Sequence, residues 1–393
     1  MQFKGSRVYF SPCGMGLGHV SRCVPIAKEV QKRGGEVLFS TYLEGVDYVS
    51  SQGLPVVEAP EIYLETDETG SIDLKSTFQN RALTVFITLL KQVTFEIKQI
   101  QTFKPDVIFS DTRVSTILAA RLMRKPVVVL LNQFLPRAPR DRDSNWWKIL
   151  DGTVMTVLGR IWTYTQRVII PDFPEPYTIS LDSLRAPKRY GAKMDLVGSI
   201  LGVRPEDNQD SSKIREELGV SDDQVLIYAG ISGPRTERMP LIHMLTPIFK
   251  EFPDRFHVVM STGDPHGGSK PKRIGNLTLI PWIVDRYSFL NACDVVISRG
   301  GHETIMQSIG YSKPSLIIPT PRHPEQYGNA ERAQENGVAM VMHQKDVSVS
   351  ELIKRIDHLL ENSAQEVLIE MNKNQHLDEG LERTLEIIHE FID

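Results

Sequence analysis

Two glycine-rich turns hold the residue types that could do chemistry in this chain. One runs Ser298-Arg299-Gly300-Gly301-His302-Glu303-Thr304. It follows a short β-branched run, Asp294 to Ile297, and opens a helical pattern from His302 to Ile309 that contains Gln307. Two glycines ahead of a helix let backbone N–H groups approach an anion closely, and the helix dipole with its unpaired N–H groups favours a phosphate there. Arg299 adds a permanent positive charge. Past the helix, Ser315 to Ile318 reads as a buried strand, and the polar side chains of Glu325 and Gln326 can reach back toward the turn. The layout suits a diphosphate with a sugar attached.

The second turn is Ser11-Pro12-Cys13-Gly14-Met15-Gly16-Leu17-Gly18-His19, between a first strand and a helix. A dinucleotide fingerprint would need a third glycine where His19 stands, although Glu36 falls near the place of a ribose-binding acid. An imidazole that titrates near neutrality is instead suited to proton transfer. Asp111 ends the run Phe109-Ser110-Asp111 at the C-terminal end of a strand. It could orient a histidine and stabilise its imidazolium, and it could also cap the helix that follows.

These residues together resemble the GT-B glycosyltransferases, in particular the bacterial peptidoglycan N-acetylglucosaminyltransferases and the plant and macrolide UDP-glycosyltransferases. The resemblance rests on residues 14–19 and 282–329. Trp282, 17 residues before Arg299, the Gly-rich turn, Thr304, Gly310 with Pro314, and the Glu325-Gln326 pair all fall on the family's motif. The likeness implies a UDP-sugar bound by the C-terminal half as co-substrate, with no cofactor and no metal. Arg299, Gly300, Gly301 and Thr304 would meet the phosphates, helped by the loop of Gly230, Ser232 and Gly233; His302 could back them or lie exposed at the helix start, and Glu303 counts among the donor-binding residues. Trp282 and Ile283 would flank the base, and Glu325 and Gln326 would hold the sugar's hydroxyls. The family's ribose-binding Glu falls on Gln307, which can bond a hydroxyl only as a neutral group. Gly16 and Gly18 would belong to a loop facing the acceptor, with His19 as general base and Asp111 as its partner.

Elements that must position these residues are legible as repeated βα units. Strands are expected at Arg7–Ser11, Glu36–Ser40, Pro55–Glu58, Asp106–Ser110 and Pro126–Leu131, with helices at Gly18–Lys32, Leu83–Thr102 and Ser115–Met123. A second series runs through Gln224–Tyr228, His257–Ser261, Leu277–Ile280, Asp294–Ser298 and Ser315–Ile318. Such alternation predicts an α/β protein with two Rossmann-like, doubly wound parallel sheets facing a cleft. The expected division is residues 1–200 for the acceptor, 201–375 for the nucleotide sugar, and 376–393 as a helix crossing back to the first domain. Leu377, Leu381, Leu385, Ile388 and Ile392 form one stripe on that helix.

Bulk properties exclude several classes. The 393 residues are enough for two full cores, and a formal net charge of −4 gives no basic field for nucleic acid. Three cysteines without paired spacing argue against a disulfide framework or a zinc site and fit a reducing compartment. No leader and no membrane-spanning run is read, so a cytoplasmic protein is expected, at the inner face of the cell membrane if it is peripheral. Asp141-Arg142-Asp143 has metal-motif spacing but stands far from the donor turn. Residues 134–167 mix Trp146, Trp147 and Trp162 with Arg137, Arg140, Arg142, Lys148 and Arg160, which suits contact with an anionic membrane or an ordinary core helix with a solvated loop. The expected reaction is therefore inverting, metal-independent transfer of a hexose or N-acetylhexosamine to a hydroxyl on a lipid, lipid-linked or small-molecule acceptor. A UDP-N-acetylglucosamine 2-epimerase and a non-catalytic sugar-nucleotide-binding subunit are the alternatives on the same fold. The first would need carboxylates placed around the sugar ring, and the His19–Asp111 pair argues against the second.

Overall fold

The structure is a computed structural model that describes residues 1–15, 17–62, 74–134, 145–184, 191, 193–208, 211–264, 267–361, 364–375 and 379–392, with the backbone alone at 74–82, 145–151, 154 and 374–375. Val- and Ile-rich runs flanked by helical segments become strands buried on both faces, as parallel sheets require. The first sheet comprises β1 (Arg7–Pro12), β2 (Glu36–Thr41), β3 (Val56–Glu58), β4 (Val107–Asp111), β5 (Val127–Leu130), β6 (Arg167–Ile170) and β7 (Met194–Leu196). They lie in the order β3-β2-β1-β4-β5-β6-β7, all parallel. Its helices are α1 (Leu17–Lys32), α2 (Glu44–Ser51), α3 (Leu74–Phe103), α4 (Val114–Met123) and α5 (Asn145–Trp162).

The second sheet holds β8 (Val225–Gly230), β9 (Phe256–Ser261), β10 (Lys272–Ile274), β11 (Leu277–Ile280), β12 (Val295–Ser298), β13 (Ser315–Ile317) and β14 (Ala339–Val341). Its order is β10-β11-β9-β8-β12-β13-β14, parallel except for the short edge strand β10. Helices α6 (Ser211–Leu218), α7 (Arg235–Lys250), α8 (Arg286–Ala292), α9 (His302–Gly310), α10 (Pro324–Glu335), α11 (Val349–Glu361), α12 (Ala364–Gln375) and α13 (Gly380–His389) complete the chain. Both sheets are doubly wound, and apart from the antiparallel edge strand β10 each reverses its strand order once. The reversals fall between β1 and β4, and between β8 and β12, which is where ligands bind in such sheets. Register then aligns Pro12 with Asp111 in one sheet and Gly230 with Ser298 in the other. The two glycine-rich turns leave the sheets from these points.

In α3 the apolar line Val85, Leu89, Val93 and Ile97 is half-buried, and the most buried line is Gln92, Glu96 and Ile100, one residue round the helix. Polar groups decide this. Glu96 accepts from Tyr9 Oη at 2.7 Å, Ser40 Oγ at 2.7 Å and Arg113 Nη2 at 2.6 Å, a network that can exist only facing inward. Leu83, Phe86, Ile87 and Leu90 are left exposed on its outer side. Trp162, one of the aromatics the membrane reading would use, is 4% exposed in the core against α4 and β5, as a core helix would have it, while Arg160 of the same helix is exposed.

Helix α13 returns to the first sheet. Leu385 and Ile388 are fully buried in the core of Phe3, Val24, Ala27 and Val30. Arg33 grips Glu382 through both guanidinium nitrogens at 2.6 and 2.8 Å, and Arg167 bonds Glu390. Leu385→Ala should cost about 2–5 kcal/mol, the range for a buried leucine that leaves a cavity. Calorimetry would register it as a lower transition temperature for the first domain, and an unchanged thermogram would show that α13 is not part of that core.

Candidate active site at the domain seam

The histidine of the first turn has a built environment. Helix α1 begins beside the end of β4, and its first turn places His19 Nδ1 2.8 Å from Asp111 Oδ1. Asp111 has no exposed surface, while the His19 side chain keeps 27% of its own. Asp111 does not cap α4, whose N-cap is Arg113 without a side-chain cap bond. Arg22 approaches Asp111 from one turn along α1. Its Nε donates to Oδ2 at 2.5 Å and its Nη2 to Oδ1 at 2.6 Å. Burial works against the charge on Asp111, but Arg22 and then His19 outweigh it and hold the carboxyl below its ordinary range. Burial and the Asp111 charge push the neighbouring Cys23 thiol well up. With Nδ1–H donated to the carboxylate, the outer nitrogen Nε2 carries the lone pair that could take a proton. Glu36, the acid a dinucleotide site would use, is instead exposed at the opposite end of the sheet, paired with Arg7 at 3.0 Å.

At the second turn the glycines are required by close approach. A Cβ on Gly300 would fall 2.2 Å from the carbonyl oxygen of Gln326, because α10 starts directly against the turn. Asn329 Nδ2 also donates to the Gly300 carbonyl at 3.1 Å. Gly301 is the N-cap of α9 and supplies no side-chain cap, so the helix start is unoccupied by its own residues. A Cβ there would meet only Ser232 Oγ, at 3.7 Å. The loop Gly230–Gly233 therefore faces the start of α9, with exposed Ser232 and with Gly233 at φ +110°. Thr304 lies half-buried in the first turn.

Arg299 does not reach this opening as the sequence suggested. Its side chain turns inward and is 2% exposed. The guanidinium donates to the carbonyls of Glu237 at 2.9 Å, Ile318 at 3.2 Å and Pro319 at 3.4 Å, and to Gln344 Oε1 at 2.8 Å. Carbonyls at the end of β13 and in the first turn of α7 form a ring of acceptors that draws the cation in. Burial lowers its pKa to about 10, so it stays charged at neutral pH. Arg299 thus ties the turn after β12 to its neighbours and acts on a ligand only from behind the turn.

Several other candidates cross the seam between the two sheets. Glu303 accepts from Ser21 Oγ of α1 at 2.9 and 3.0 Å, from Arg286 Nη2 at 2.8 Å and from Gln307 Nε2 at 2.9 Å. Gly18 stands against the same carboxylate. Gln307 is buried with its amide committed to Glu303, beside Arg22, Ser199 and Ile200 in a recess between the domains. His302 is 3% exposed and its Nε2 meets Asp172 Oδ2 at 3.1 Å, so the imidazole faces the first domain. Glu325 accepts from Asn132 Nδ2 and Gln133 Nε2, both at 3.0 Å. The Gln326 side-chain Oε1 accepts the Thr320 N–H at 2.8 Å. Trp282 is half-buried and stands edge-on to Tyr48 of α2, with centroids 6.4 Å apart, and Ile283 packs on the core beneath.

Gly16, Asp141, Asp143, Arg137, Arg140 and Arg142 lie outside the described residues, as do the side chains of Trp146, Trp147 and Lys148. Among the described residues no group of histidine, cysteine and carboxylate side chains could hold a metal, and no helix is long and apolar enough to cross a membrane. Sequence reasoning missed Arg22, Ser21, Asn132, Gln133, Asp172 and Arg286. Of these Arg22 had a usable signal, since the position three after His19 on a helix lies beside it. The others depend on how the domains face each other.

Residues 240–387 match the glycosyltransferase family 28 C-terminal domain. An uncharacterized glycosyltransferase of Methanosarcina acetivorans is 28% identical over 344 residues, covering 84% of each chain. The UDP-N-acetylglucosamine–N-acetylmuramyl-(pentapeptide) pyrophosphoryl-undecaprenol N-acetylglucosamine transferase of Lactobacillus acidophilus is 23% identical over 379 residues, covering 90% of each. The crystal structure of the kitacinnamycin glycosyltransferase superposes over the full length of both chains with a TM-score of 0.68 at 15% identity. With its two facing Rossmann-like domains and its matched C-terminal domain, the chain is a glycosyltransferase of the GT-B architecture.

Proposed function

We propose that the enzyme transfers a hexose or N-acetylhexosamine from a UDP-sugar, with inversion and without a metal, to a hydroxyl of a lipid or lipid-linked acceptor. The observation that carries this reading is the His19–Asp111 pair at one sheet's switch point, facing the glycine-opened start of α9 at the other's. The nucleotide and acceptor class are those in the name of the Lactobacillus acidophilus relative.

In this mechanism the acceptor oxygen attacks the anomeric carbon as His19 Nε2 takes its proton. The bond from that carbon to the diphosphate oxygen breaks, and the electron pair leaves with UDP. The open N–H groups of α9, the Thr304 hydroxyl and the Ser232 loop receive the growing negative charge. Arg299 adds a positive field from behind the turn. Glu325 and Gln326 meet the sugar, and Trp282 and Ile283 the base. Asp111 keeps His19 in the tautomer that exposes Nε2 and stabilises the transient imidazolium.

His19→Ala should lower kcat roughly 10²- to 10⁴-fold while UDP affinity, read by calorimetry, stays unchanged. Full activity in that variant would remove His19 from the reaction. The two glycines should separate fold from binding. Gly301→Ala has room to fold normally but narrows the space facing Ser232, so the donor Kd should rise at least about tenfold, or about 1.4 kcal/mol. Gly300→Ala collides with backbone and should lower the melting temperature of the unliganded protein. Equal UDP affinity in wild type and Gly301→Ala would move the diphosphate elsewhere. Turnover should also survive EDTA, and loss of activity restored by magnesium or manganese would overturn the metal-free mechanism.

A further inference from the structure

His19 and Asp111 share their site with a third charged group that the reaction as written does not use. Arg22 is 5% exposed, and its Nη2 stands 2.6 Å from Asp111 Oδ1 and 3.1 Å from His19 Nδ1. A guanidinium needs only the carboxylate to be satisfied by a fork–fork pair. Here its Nε donates to Oδ2, and Nη2 sits between Oδ1 and the ring. Both Nδ1 contacts cannot be hydrogen bonds in one tautomer. If Nδ1 accepted from Arg22, the proton would sit on Nε2 and the ring could not act as base. The carboxylate is the closer partner, at 2.8 Å, and the charged acceptor, so Nδ1–H donates to it. The guanidinium, paired with Asp111, is then a positive charge beside an imidazole that must become positive when it works.

We propose that Arg22 is a positioning residue that sets the operating pH of His19, by fixing Asp111 for the ring's N–H and by opposing the imidazolium that a lone carboxylate would hold. This rests on the reading of His19 as general base. A buried aspartate alone beside a histidine favours the protonated ring and would keep the base occupied near neutrality. With Arg22 in place the pair Asp111–Arg22 carries no net charge. The ring then stays a proton acceptor and can return its proton to solvent between turnovers.

Other charges around the ring are already balanced. Glu303, across the seam, is paired with Arg286, and Arg113, past the end of β4, is paired with Glu96. Cys13 and Cys23 stay neutral because burial pushes both thiols up. Tyr42, bonded to Cys13, and Tyr48, near Arg286, are likewise pushed up by burial and stay neutral. Arg22 is the group whose removal leaves Asp111 uncompensated.

The test is the titration of His19 followed by NMR on protein with isotope-labelled histidine, the signal assigned by its loss in His19→Ala. In Arg22→Gln the midpoint should rise by about one pH unit or more, a tenfold change in the protonated fraction. Arg22→Lys, which keeps the charge, should restore it to near the wild-type value. An unmoved midpoint in folded Arg22→Gln would overturn the proposal. If that variant does not fold, the same titration in Arg22→Met, which keeps an apolar stem without the charge, decides the matter, and an unmoved midpoint there would refute the proposal. Loss of activity in His19→Ala with an unmoved midpoint in Arg22→Gln would sink only the role of Arg22. A fully active His19→Ala enzyme would sink the base itself.

Discussion

Asp111 is a carboxylate with no exposed surface, and such a group must be compensated where it stands or it will not stay charged. Much of the first domain's upper edge follows from that requirement. Strand β4 delivers Asp111 opposite Pro12 in register, so α1, leaving the turn after β1, starts beside it. Only then can residues one turn apart on α1, His19 and Arg22, reach the same carboxylate. The breaking of either partner would be costly because it leaves a buried charge behind. The register of one strand pair therefore fixes where the reactive imidazole stands and which of its nitrogens faces out.

A similar logic runs across the seam. Helix α9 begins at the donor turn, and three of its first six residues bond to one another or to the first domain. His302 is held by Asp172, whose carboxylate also accepts the N–H groups of Phe173, Ile179 and Ser180. Glu303 is held by Ser21, two residues from the histidine. Glu325, at the start of α10, is held by two amides from the end of β5. Each of these contacts joins the start of a second-domain helix to the first domain. A ligand that draws on Glu303 or Glu325 must therefore also change how the two domains hold each other.

Much of this was legible in the sequence because parallel sheets announce themselves through apolar runs, and because the two glycine turns are short-range features. His19 and Asp111 were identifiable as partners, since both sit at strand ends on the cleft edge of one sheet. Strands β6, β7, β10 and β14 were not anticipated. They are three or four residues long and lack a distinctive flank. The inward line of α3 was not legible because a buried Gln92 and Glu96 invert the usual rule that apolar residues face the core. What such a line faces is set by Tyr9, Ser40 and Arg113, which come from three other elements.

Arg299 is the most instructive departure. Sequence places a cation at the lip of an anion site, and the fold turns it away. The ring of carbonyls it satisfies belongs to the end of β13, the polypeptide just beyond it and the first turn of α7, so its charge locks together the parts that shape the opening. An arginine free in the cleft would bind phosphate more strongly, but it would hold leaving diphosphate and incoming donor alike. A catalyst gains from interactions that strengthen as charge develops and not from uniform affinity. The fixed N–H groups at the start of α9 are rigid because Gly300 lies against α10 and Arg299 anchors the turn from below. They need no rearrangement when negative charge arrives, which is the condition for preorganised stabilisation. Burying the cation thus exchanges direct contact for a stiffer dipole array aimed at the same point.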